Sequence, residues 1–340
     1  MMMMMIVSIL LLLLLSLSLI NGIKKTVILT GANSGIGYAT LKNLCASNDY
    51  NVIMACRDIN KATISSSKVN NNNNIEIIPL DLADLNSVRE FVSIIKSKKR
   101  VIDVLALNAG IQESESALPG KKGSLVAERT KQGYEITVGT NHIGHFALVD
   151  MLLSSMSKDG RIVFVGSGVH NPEEPGGNVG SKAGLGDMIG LKNGFQSPIA
   201  MIDGSPYDPD KSYKDSKLCN VMTALELAKR LKEKKSKITS NVMNPGLIPT
   251  TGLFRKLNPI FTVIFTFLTR YVFKVATSEE EGGKRLTFMI SDSSLNGRSG
   301  LYFSGKPGKE FEEIVPSSEA RDEKKRKLFW DYSTKLIKTK

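Results

Sequence analysis

The sequence has 340 residues, of which 41% are hydrophobic and 23% charged, and its formal net charge is +12. This composition is typical of one large globular α/β domain and excludes a disordered, collagen-like or multi-span membrane protein. The positive charge permits anionic partners such as a dinucleotide phosphate, whereas the spread-out basic residues and the single Trp argue against nucleic acid.

The N-terminal run is the first feature along the chain. Residues 1–20 are apolar apart from three serines and carry no charge, which is enough to cross a bilayer as a helix. We therefore expect residues 1–22 to be a signal anchor or a cleaved signal peptide. Lys24 and Lys25 favour an anchor that holds the domain to an endomembrane, facing the cytosol. Three cysteines are too few for a disulfide framework and agree with a reduced compartment; a plastid is the alternative location.

From residue 25 onward, short β-rich runs alternate with longer amphipathic stretches. This alternation predicts an α/β fold with a Rossmann-type, doubly wound parallel sheet in a single domain, residues 23–340. Residues 171–212 form a long, weakly periodic stretch rich in Gly and Pro, which predicts a functional loop of the kind that often acts as a lid. Strands are predicted at residues 26–30, 51–55, 75–80, 101–107, 161–165 and 238–243, and helices at residues 34–47, 87–98, 134–156 and 213–232.

The first predicted strand runs into a glycine-rich turn, TGANSGIG at residues 30–37. Glycines permit the tight turn and the close approach of a phosphate, and the N–H groups at the start of the next helix can bind a pyrophosphate. This context predicts a dinucleotide site. The residues expected to contact the cofactor here are Gly31, Asn33, Ser34, Gly35, Ile36 and Gly37.

Other cofactor residues are predicted at the ends of later strands. Arg57 ends the second strand about 20 residues after the last glycine, where a carboxylate would select NADH. The guanidinium suits a 2′-phosphate, so NADPH is the predicted cofactor. Asp81, after the third strand, could accept a hydrogen bond from the adenine amine, and Asn108 and Gly110, after the fourth, could line the cofactor trough.

Four residues form the predicted catalytic group. Tyr213 and Lys217 stand one helical turn apart, and an ammonium beside a phenol favours the phenolate. Tyr213 is therefore predicted to donate a proton, and Lys217 to assist it and to hold the nicotinamide ribose. Ser167, after the fifth strand, could orient the substrate or Tyr213, and Asn141 could reach Lys217 through water.

Together these motifs resemble the short-chain dehydrogenase/reductase family over about residues 25–335. The matching residues are the glycine-rich turn, Asn108-Ala109-Gly110, Asn141, Ser167, Tyr213-x-x-x-Lys217 and Asn244-Pro245-Gly246. The long insertion before Tyr213 resembles one branch of that family, the light-dependent protochlorophyllide oxidoreductases, in residues 177–179, 183–187 and 200–204.

The resemblance implies an activity and further contacts. The activity is NADPH-dependent, light-driven reduction of a ring double bond in protochlorophyllide, with hydride from the nicotinamide and a proton from Tyr213. Pro245 and Gly246 would add cofactor contacts. The implied substrate is an apolar small molecule such as a tetrapyrrole, with the apolar residues 250–280 capping it. Membrane attachment would come from the N-terminal segment, and assembly into a homo-oligomer is a further hypothesis.

Leu247 departs from this branch, which usually has a cysteine directly after the Pro-Gly pair. Leucine has no transferable proton, so a second interpretation stays open: a membrane-anchored, NADPH-dependent reductase of another apolar compound, such as a retinoid, steroid or fatty aldehyde. A third interpretation is an NADPH-binding scaffold without catalysis. The intact Tyr213 and Lys217 argue against it.

A few other residues carry expectations that a structure can test. Cys219 matches a cysteine of the resembled branch and could equally be a small buried hydrophobe. His142 and His145 have no acidic or Cys neighbours that would suggest a metal site, so both are expected to be packing residues. His170 is expected to belong to an exposed loop.

Overall fold

A computed structural model describes residues 24–114, 125–250, 269, 276–305 and 310–339. In this part of the chain the strands form one sheet in the order β3-β2-β1-β4-β5-β6-β7-β8, parallel except for the antiparallel pair β7 and β8. The strands are β1 (Lys25–Thr30), β2 (Tyr50–Cys56), β3 (Ile75–Pro79), β4 (Ile102–Leu107), β5 (Met156–Val165), β6 (Thr239–Asn244), β7 (Tyr302–Gly305) and β8 (Phe311–Glu313).

Helices cover both faces of the sheet. They are α1 (Gly35–Ser47), α2 (Ile59–Ser67), α3 (Leu85–Ser97), α4 (Ile136–Val138, continued by Gly139–Ile143 and Gly144–Leu152), α5 (Ile189–Lys192), α6 (Pro209–Glu233), α7 (Glu279–Ser291), α8 (Ser318–Arg321) and α9 (Glu323–Thr339). Ile28 of β1 packs in a core with α3, α4, α6 and α9, whereas Val27 and Leu29 pack on the other face with α1 and α7. Because strand side chains alternate between faces, a strand buried on both sides must be apolar throughout. The predicted doubly wound fold is confirmed.

The strand order places a crevice at the carboxyl edge of the sheet. β1 pairs with β2 on one side and with β4 on the other, so the chain leaves β1 and β4 toward opposite faces. Ligands of open parallel sheets bind where the strand order reverses in this way. The glycine-rich turn after β1 and the Asn108-Ala109-Gly110 segment after β4 meet at this point.

Two elements differ from the sequence-based expectation. In place of the helix predicted over residues 134–156, α4 begins at Ile136, contains a π-helical turn at Gly139–Ile143 and ends at Leu152, before β5 begins at Met156. Such turns are rare and often stand at functional sites, and this one contains Asn141. The insertion, residues 171–212, is packed rather than an open lid, because Leu185, Leu191 and Ile202 are fully buried in the core beneath α9 and α6.

The expected membrane segment is not part of the described chain. Among the residues the structure describes, no helix has the length and apolar character needed to cross a membrane. The predicted anchor or signal peptide, residues 1–22, lies outside them. The same holds for residues 251–268 and 270–275 of the predicted substrate-capping segment.

Candidate active site

The glycine-rich turn has a geometry that only glycine permits at two positions. Gly31 has φ +67°, in the left-handed region, and a Cβ on Gly37 would lie 2.2 Å from the carbonyl oxygen of Gly31. Ser34 occupies the N-cap of α1 without a side-chain capping bond, so the first N–H groups of this helix face the crevice without that partner. These features fit a dinucleotide pyrophosphate, which needs close backbone approach and unpaired N–H donors.

The end of β2 brings Arg57 to the same crevice. The N–H of Gly31 donates to the carbonyl of Ala55 at 3.1 Å, which ties the turn to the end of β2. Arg57 follows two residues later and is exposed, while the carboxylate of Asp58 accepts from the N–H of Lys61 and caps α2. Asp58, the acidic residue next to Arg57 in the sequence, therefore serves a helix cap, and a cation is presented where the cofactor ribose is expected.

Asp81 has a local structural partner. It follows β3, the neighbour of β2, and its Oδ1 accepts from the N–H of Ala83 at 2.9 Å. The carboxylate thus shapes the turn that leads to α3. Its predicted contact with the adenine amine remains a prediction.

Thr30 and His145 are two members of the site that sequence reasoning missed. Thr30 Oγ1 accepts from the N–H groups of Asn108 at 2.9 Å and Ala109 at 3.0 Å, and it contacts Nε2 of His145 at 3.0 Å. The other ring nitrogen of His145 lies 2.9 Å from the carbonyl oxygen of Asn141. His145 was expected to be a packing residue, but a sequence does not reveal that its ring joins β1 to the π-helical turn.

Asn141 joins the loop after β4 to the helix that carries Tyr213. Its amide nitrogen donates to Ser216 Oγ at 3.0 Å and to the carbonyl of Ile111 at 2.9 Å, and its Oδ1 accepts from the N–H of Ile111. A Cβ on Gly110 would lie 3.4 Å from both Asn141 Oδ1 and Lys217 Nζ. Gly110, Asn141 and Lys217 therefore meet at one point, and the contact of Asn141 with Lys217 through water remains a prediction.

Tyr213 and Lys217 lie side by side near the start of α6. This helix begins with Asp208 as its N-cap, whose carboxylate accepts from the N–H groups of Asp210 and Lys211. The Lys217 ammonium donates to the carbonyl of Val165 at 3.1 Å, and its nitrogen stands 5.5 Å from the centroid of the Tyr213 ring. Both side chains are buried.

Burial controls the ionisation of this pair. It raises the pKa of Tyr213 above its usual value, and a hydrogen bond with Ser167 opposes that change. It also lowers the pKa of Lys217 to about 8. We expected Lys217 to lower the pKa of Tyr213, but burial has the larger effect and raises it. Tyr213 keeps its proton, which is the form that a proton donor requires.

The loop after β6 completes the rim of the crevice. Gly246 has φ +95°, its N–H donates to Asn244 Oδ1, and the carbonyl of Pro245 accepts from Arg285. A Cβ on Gly168 would lie 3.0 Å from Asn244 Nδ2, so this loop touches the turn that holds Ser167. Leu247 follows at the rim, and its carbonyl accepts from the N–H of Thr277.

Two other expectations are resolved by burial. His170 is only 1% exposed, so its assignment to an exposed loop was wrong; its ring contacts the carbonyl of Ser167 and the N–H of Ser317. Because Ser317 is distant in sequence, local sequence patterns did not predict that His170 is buried. Cys219 is fully buried within the core on the other side of α6, and burial raises the pKa of its thiol. It acts as a small hydrophobe.

Comparisons with known proteins identify relatives of this chain by sequence. The profile of the short chain dehydrogenase family matches residues 25–190. The protochlorophyllide reductase of Daucus carota, named as chloroplastic, is 41% identical over 322 residues, covering 92% of this chain and 78% of the relative. The protein of the same name from Pisum sativum is also 41% identical, with the same coverage of both chains.

Solved structures support the fold independently. An uncharacterised protein from Mycobacterium paratuberculosis superposes with a TM-score of 0.66 at 26% identity, covering 93% of this chain and 94% of that one. The NADP complex of RhlG from Pseudomonas aeruginosa superposes with a TM-score of 0.59 at 17% identity, covering 84% and 95% of the two chains. At that identity, the second match bears on the fold alone.

Proposed function

Because the chain belongs to the short-chain dehydrogenase/reductase family, in the branch of the protochlorophyllide reductases, its cofactor is NADPH, and we propose that it reduces a ring double bond of a protochlorophyllide-type tetrapyrrole. The observation that carries this proposal is the buried pair of Tyr213 and Lys217, with Ser167 hydrogen-bonded to Tyr213, beside the glycine-rich turn. The match to the named relatives extends over 92% of the chain and so includes residues of the insertion next to this group.

The residues of the crevice suit each part of NADPH. The turn at residues 31–37 would hold the pyrophosphate, and Arg57 would pair with the 2′-phosphate. Asp81, Asn108, Gly110, Pro245 and Gly246 would line the rest of the trough, and Lys217 would hold the nicotinamide ribose. When bound, NADPH supplies a hydride to the substrate.

Tyr213 would provide the proton that follows. Burial keeps the phenol protonated, and its hydrogen bond with Ser167 fixes the direction of the hydroxyl. When the proton leaves, the ammonium of Lys217 beside the ring would stabilise the phenolate. Asn141, held by Ile111 and Ser216, would keep Lys217 connected to solvent for reprotonation. Acid catalysis of this kind typically contributes 10²–10⁴-fold in rate.

One observation favours a second candidate substrate. Leu247 stands at the rim where the resembled branch has a cysteine, and an alkyl side chain donates no proton. A carbonyl compound needs only one donor, because Tyr213 can protonate the oxygen as hydride reaches the carbon. A retinoid, steroid or fatty aldehyde is therefore the alternative to the tetrapyrrole.

The location of the protein is also a proposal. The relatives are named as chloroplastic, which supports the plastid over the endomembrane. The anchor hypothesis depends on residues 1–22 alone. Cell fractionation with carbonate extraction, followed by sequencing of the mature N-terminus, distinguishes the two. An intact N-terminus in a carbonate-resistant endomembrane fraction would contradict the plastid location.

The substrate is tested by mixing the protein anaerobically with NADPH and protochlorophyllide, first in the dark and then under illumination. The proposal predicts that the pigment absorbance shifts to that of the reduced product only in the light. A parallel sample with retinal in the dark tests the alternative. Turnover of retinal with no change in the pigment would replace the tetrapyrrole by a carbonyl substrate.

A further inference from the structure

His170 connects the turn after β5 to a distant part of the chain. It ends the short helical turn Gly168–His170 that directly follows Ser167. One ring nitrogen, Nδ1, lies 2.8 Å from the carbonyl oxygen of Ser167, and the other, Nε2, lies 3.3 Å from the backbone nitrogen of Ser317. The ring also packs edge-on against Tyr302 of β7, with 5.0 Å between centroids.

Both partners of the ring are backbone groups, so they determine its protonation. The N–H of Ser317 can only donate, which requires Nε2 to be a bare acceptor. The carbonyl of Ser167 can only accept, which requires the proton to be on Nδ1. The ring is therefore a neutral Nδ1–H tautomer. Burial agrees with this assignment, because it lowers the pKa of His170 to about 4 although Glu174 opposes the change.

The turn that carries Ser167 is held by backbone hydrogen bonds: the N–H of Gly166 donates to the carbonyl of Met243 at 2.8 Å, and the N–H of His170 donates to the carbonyl of Ser167 at 3.2 Å. Glycines precede and follow Ser167, and glycine has the largest conformational freedom of any residue. Within the turn, the Ser167 hydroxyl oxygen accepts a long hydrogen bond, 3.5 Å, from the N–H of Val169. The position of this hydroxyl against Tyr213 thus depends on what holds the backbone of Ser167.

Ser317 lies in a segment that is itself fixed at several points. We call residues 314–321 the C-terminal strut. The N–H of Ile314 donates to the carbonyl of Tyr302, and a Glu319 carboxylate oxygen accepts from the N–H of Leu185 in the insertion at 2.9 Å. The strut therefore contacts the sheet, the insertion and, through His170, the turn of Ser167.

We propose that His170 is a positioning residue, whose Nδ1–H bond to the Ser167 carbonyl holds the Ser167 hydroxyl against Tyr213, while the N–H of Ser317 in the C-terminal strut selects the tautomer that donates this bond. This inference rests on the role assigned to Ser167 and Tyr213 in the proposed function. It adds a residue from an irregular loop, and a strut from the far end of the chain, to the determinants of proton transfer.

The tautomer is tested without any substrate. The chain has three histidines, so nitrogen-15 NMR of histidine-labelled protein gives few ring signals, and His170→Asn identifies those of His170. We expect a protonated Nδ1 and a bare Nε2 that persist from pH 7 to pH 5. An Nε2–H tautomer, or a ring that gains a proton near pH 6.5, would overturn the proposal.

Two substitutions separate positioning from packing. In His170→Asn the amide nitrogen replaces Nδ1 and can still donate to Ser167, whereas in His170→Gln the side-chain oxygen replaces Nε2 and can only accept from Ser317. We expect kcat to fall about 10–100-fold in His170→Gln, as for a misplaced catalytic group, and to change less than about threefold in His170→Asn. KM for NADPH should be unchanged in both.

Carbon-13 NMR of labelled tyrosine supplies a second readout, with the Tyr213 signal identified by its loss in Tyr213→Phe. The carbon-13 chemical shift of Tyr213 should change in His170→Gln and stay the same in His170→Asn. Equal losses of activity in both folded variants, or a loss in neither, would overturn the positioning role. If no substrate is turned over by the wild type, the proposed function fails, while the two NMR measurements still decide the role of His170.

Discussion

The ammonium nitrogen of Lys217 stands 5.5 Å from the centre of the Tyr213 ring, one turn further along the same helix. Both side chains are buried, and the ammonium also donates to the carbonyl of Val165 at the end of β5. A buried cation costs free energy unless it has partners, so its presence here indicates a chemical use.

Tyr213→Phe should reduce kcat by about 10²–10⁴-fold and leave NADPH affinity unchanged, because it removes only the phenolic oxygen. Lys217→Met should lower both kcat and the affinity for NADPH, since Lys217 is assigned to the cofactor ribose as well as to Tyr213. Steady-state rates and fluorescence titration with NADPH measure the two effects. Full activity of the Phe variant would remove Tyr213 from the mechanism.

Arg57→Asp should weaken NADPH binding by about 2 kcal/mol, roughly 30-fold, because a charge-assisted contact to the 2′-phosphate is lost. Affinity for NADH should change little or rise. Nicotinamide fluorescence titrations with both cofactors test this, with Lys96→Asp as a control for the same charge change at an exposed site on α3. Equal affinity of the wild type for NADPH and NADH would contradict the assignment.

Leu247→Cys should distinguish the two substrate classes. If the substrate is the tetrapyrrole, a thiol at the rim adds a proton donor and the light-driven rate should rise. With a carbonyl substrate, Tyr213 is the only donor needed and the rate should stay the same. Leu247→Ser is the control for a change of size and polarity. If Leu247→Ser raised the light-driven rate as much as Leu247→Cys, thiol chemistry would be excluded as the cause.

Acid should weaken the fold partly through His142. Burial lowers its folded pKa to about 3, and its ring contacts Ser333 of α9. The unfolded chain takes up this proton near pH 6.5, so the neutral ring stabilises the fold fully above that pH and progressively less as pH falls toward 3.

By this linkage, His142 accounts for a loss of about 3 kcal/mol in unfolding free energy between pH 7 and pH 4. Denaturant unfolding of the wild type and of His142→Gln measures it. The variant should be less stable at pH 7, and the difference should shrink as pH falls. If the unfolding free energies of the wild type and the variant changed with pH in parallel over this range, the lowered pKa of His142 would be contradicted.

Much of the fold and of the catalytic group could be predicted because the signals are local. Apolar strands alternate with amphipathic helices, the glycine-rich turn lies between β1 and α1, and Tyr213 and Lys217 share a helix face by spacing alone. These features need no knowledge of distant contacts.

Features that depend on distant contacts were missed. His170 stands in a Gly- and Pro-rich stretch, which indicates an exposed loop, yet the C-terminal strut and Tyr302 bury it. The insertion gave no clear periodicity, because its apolar residues pack singly against α6 and α9 rather than along one element. The ionisation of Tyr213 was also misjudged, since spacing reveals the nearby cation but not the burial that outweighs it.

The proposed function requires this chain to transfer a hydride from NADPH to its substrate and a proton from Tyr213. The most direct measurement uses NADPH that carries deuterium at both positions of nicotinamide carbon 4, with mass spectrometry of the product. The account predicts a product with one deuterium at a carbon of the reduced bond, formed by the wild type and strongly reduced in Tyr213→Phe. A product without deuterium, or one formed equally fast by Tyr213→Phe, would contradict it.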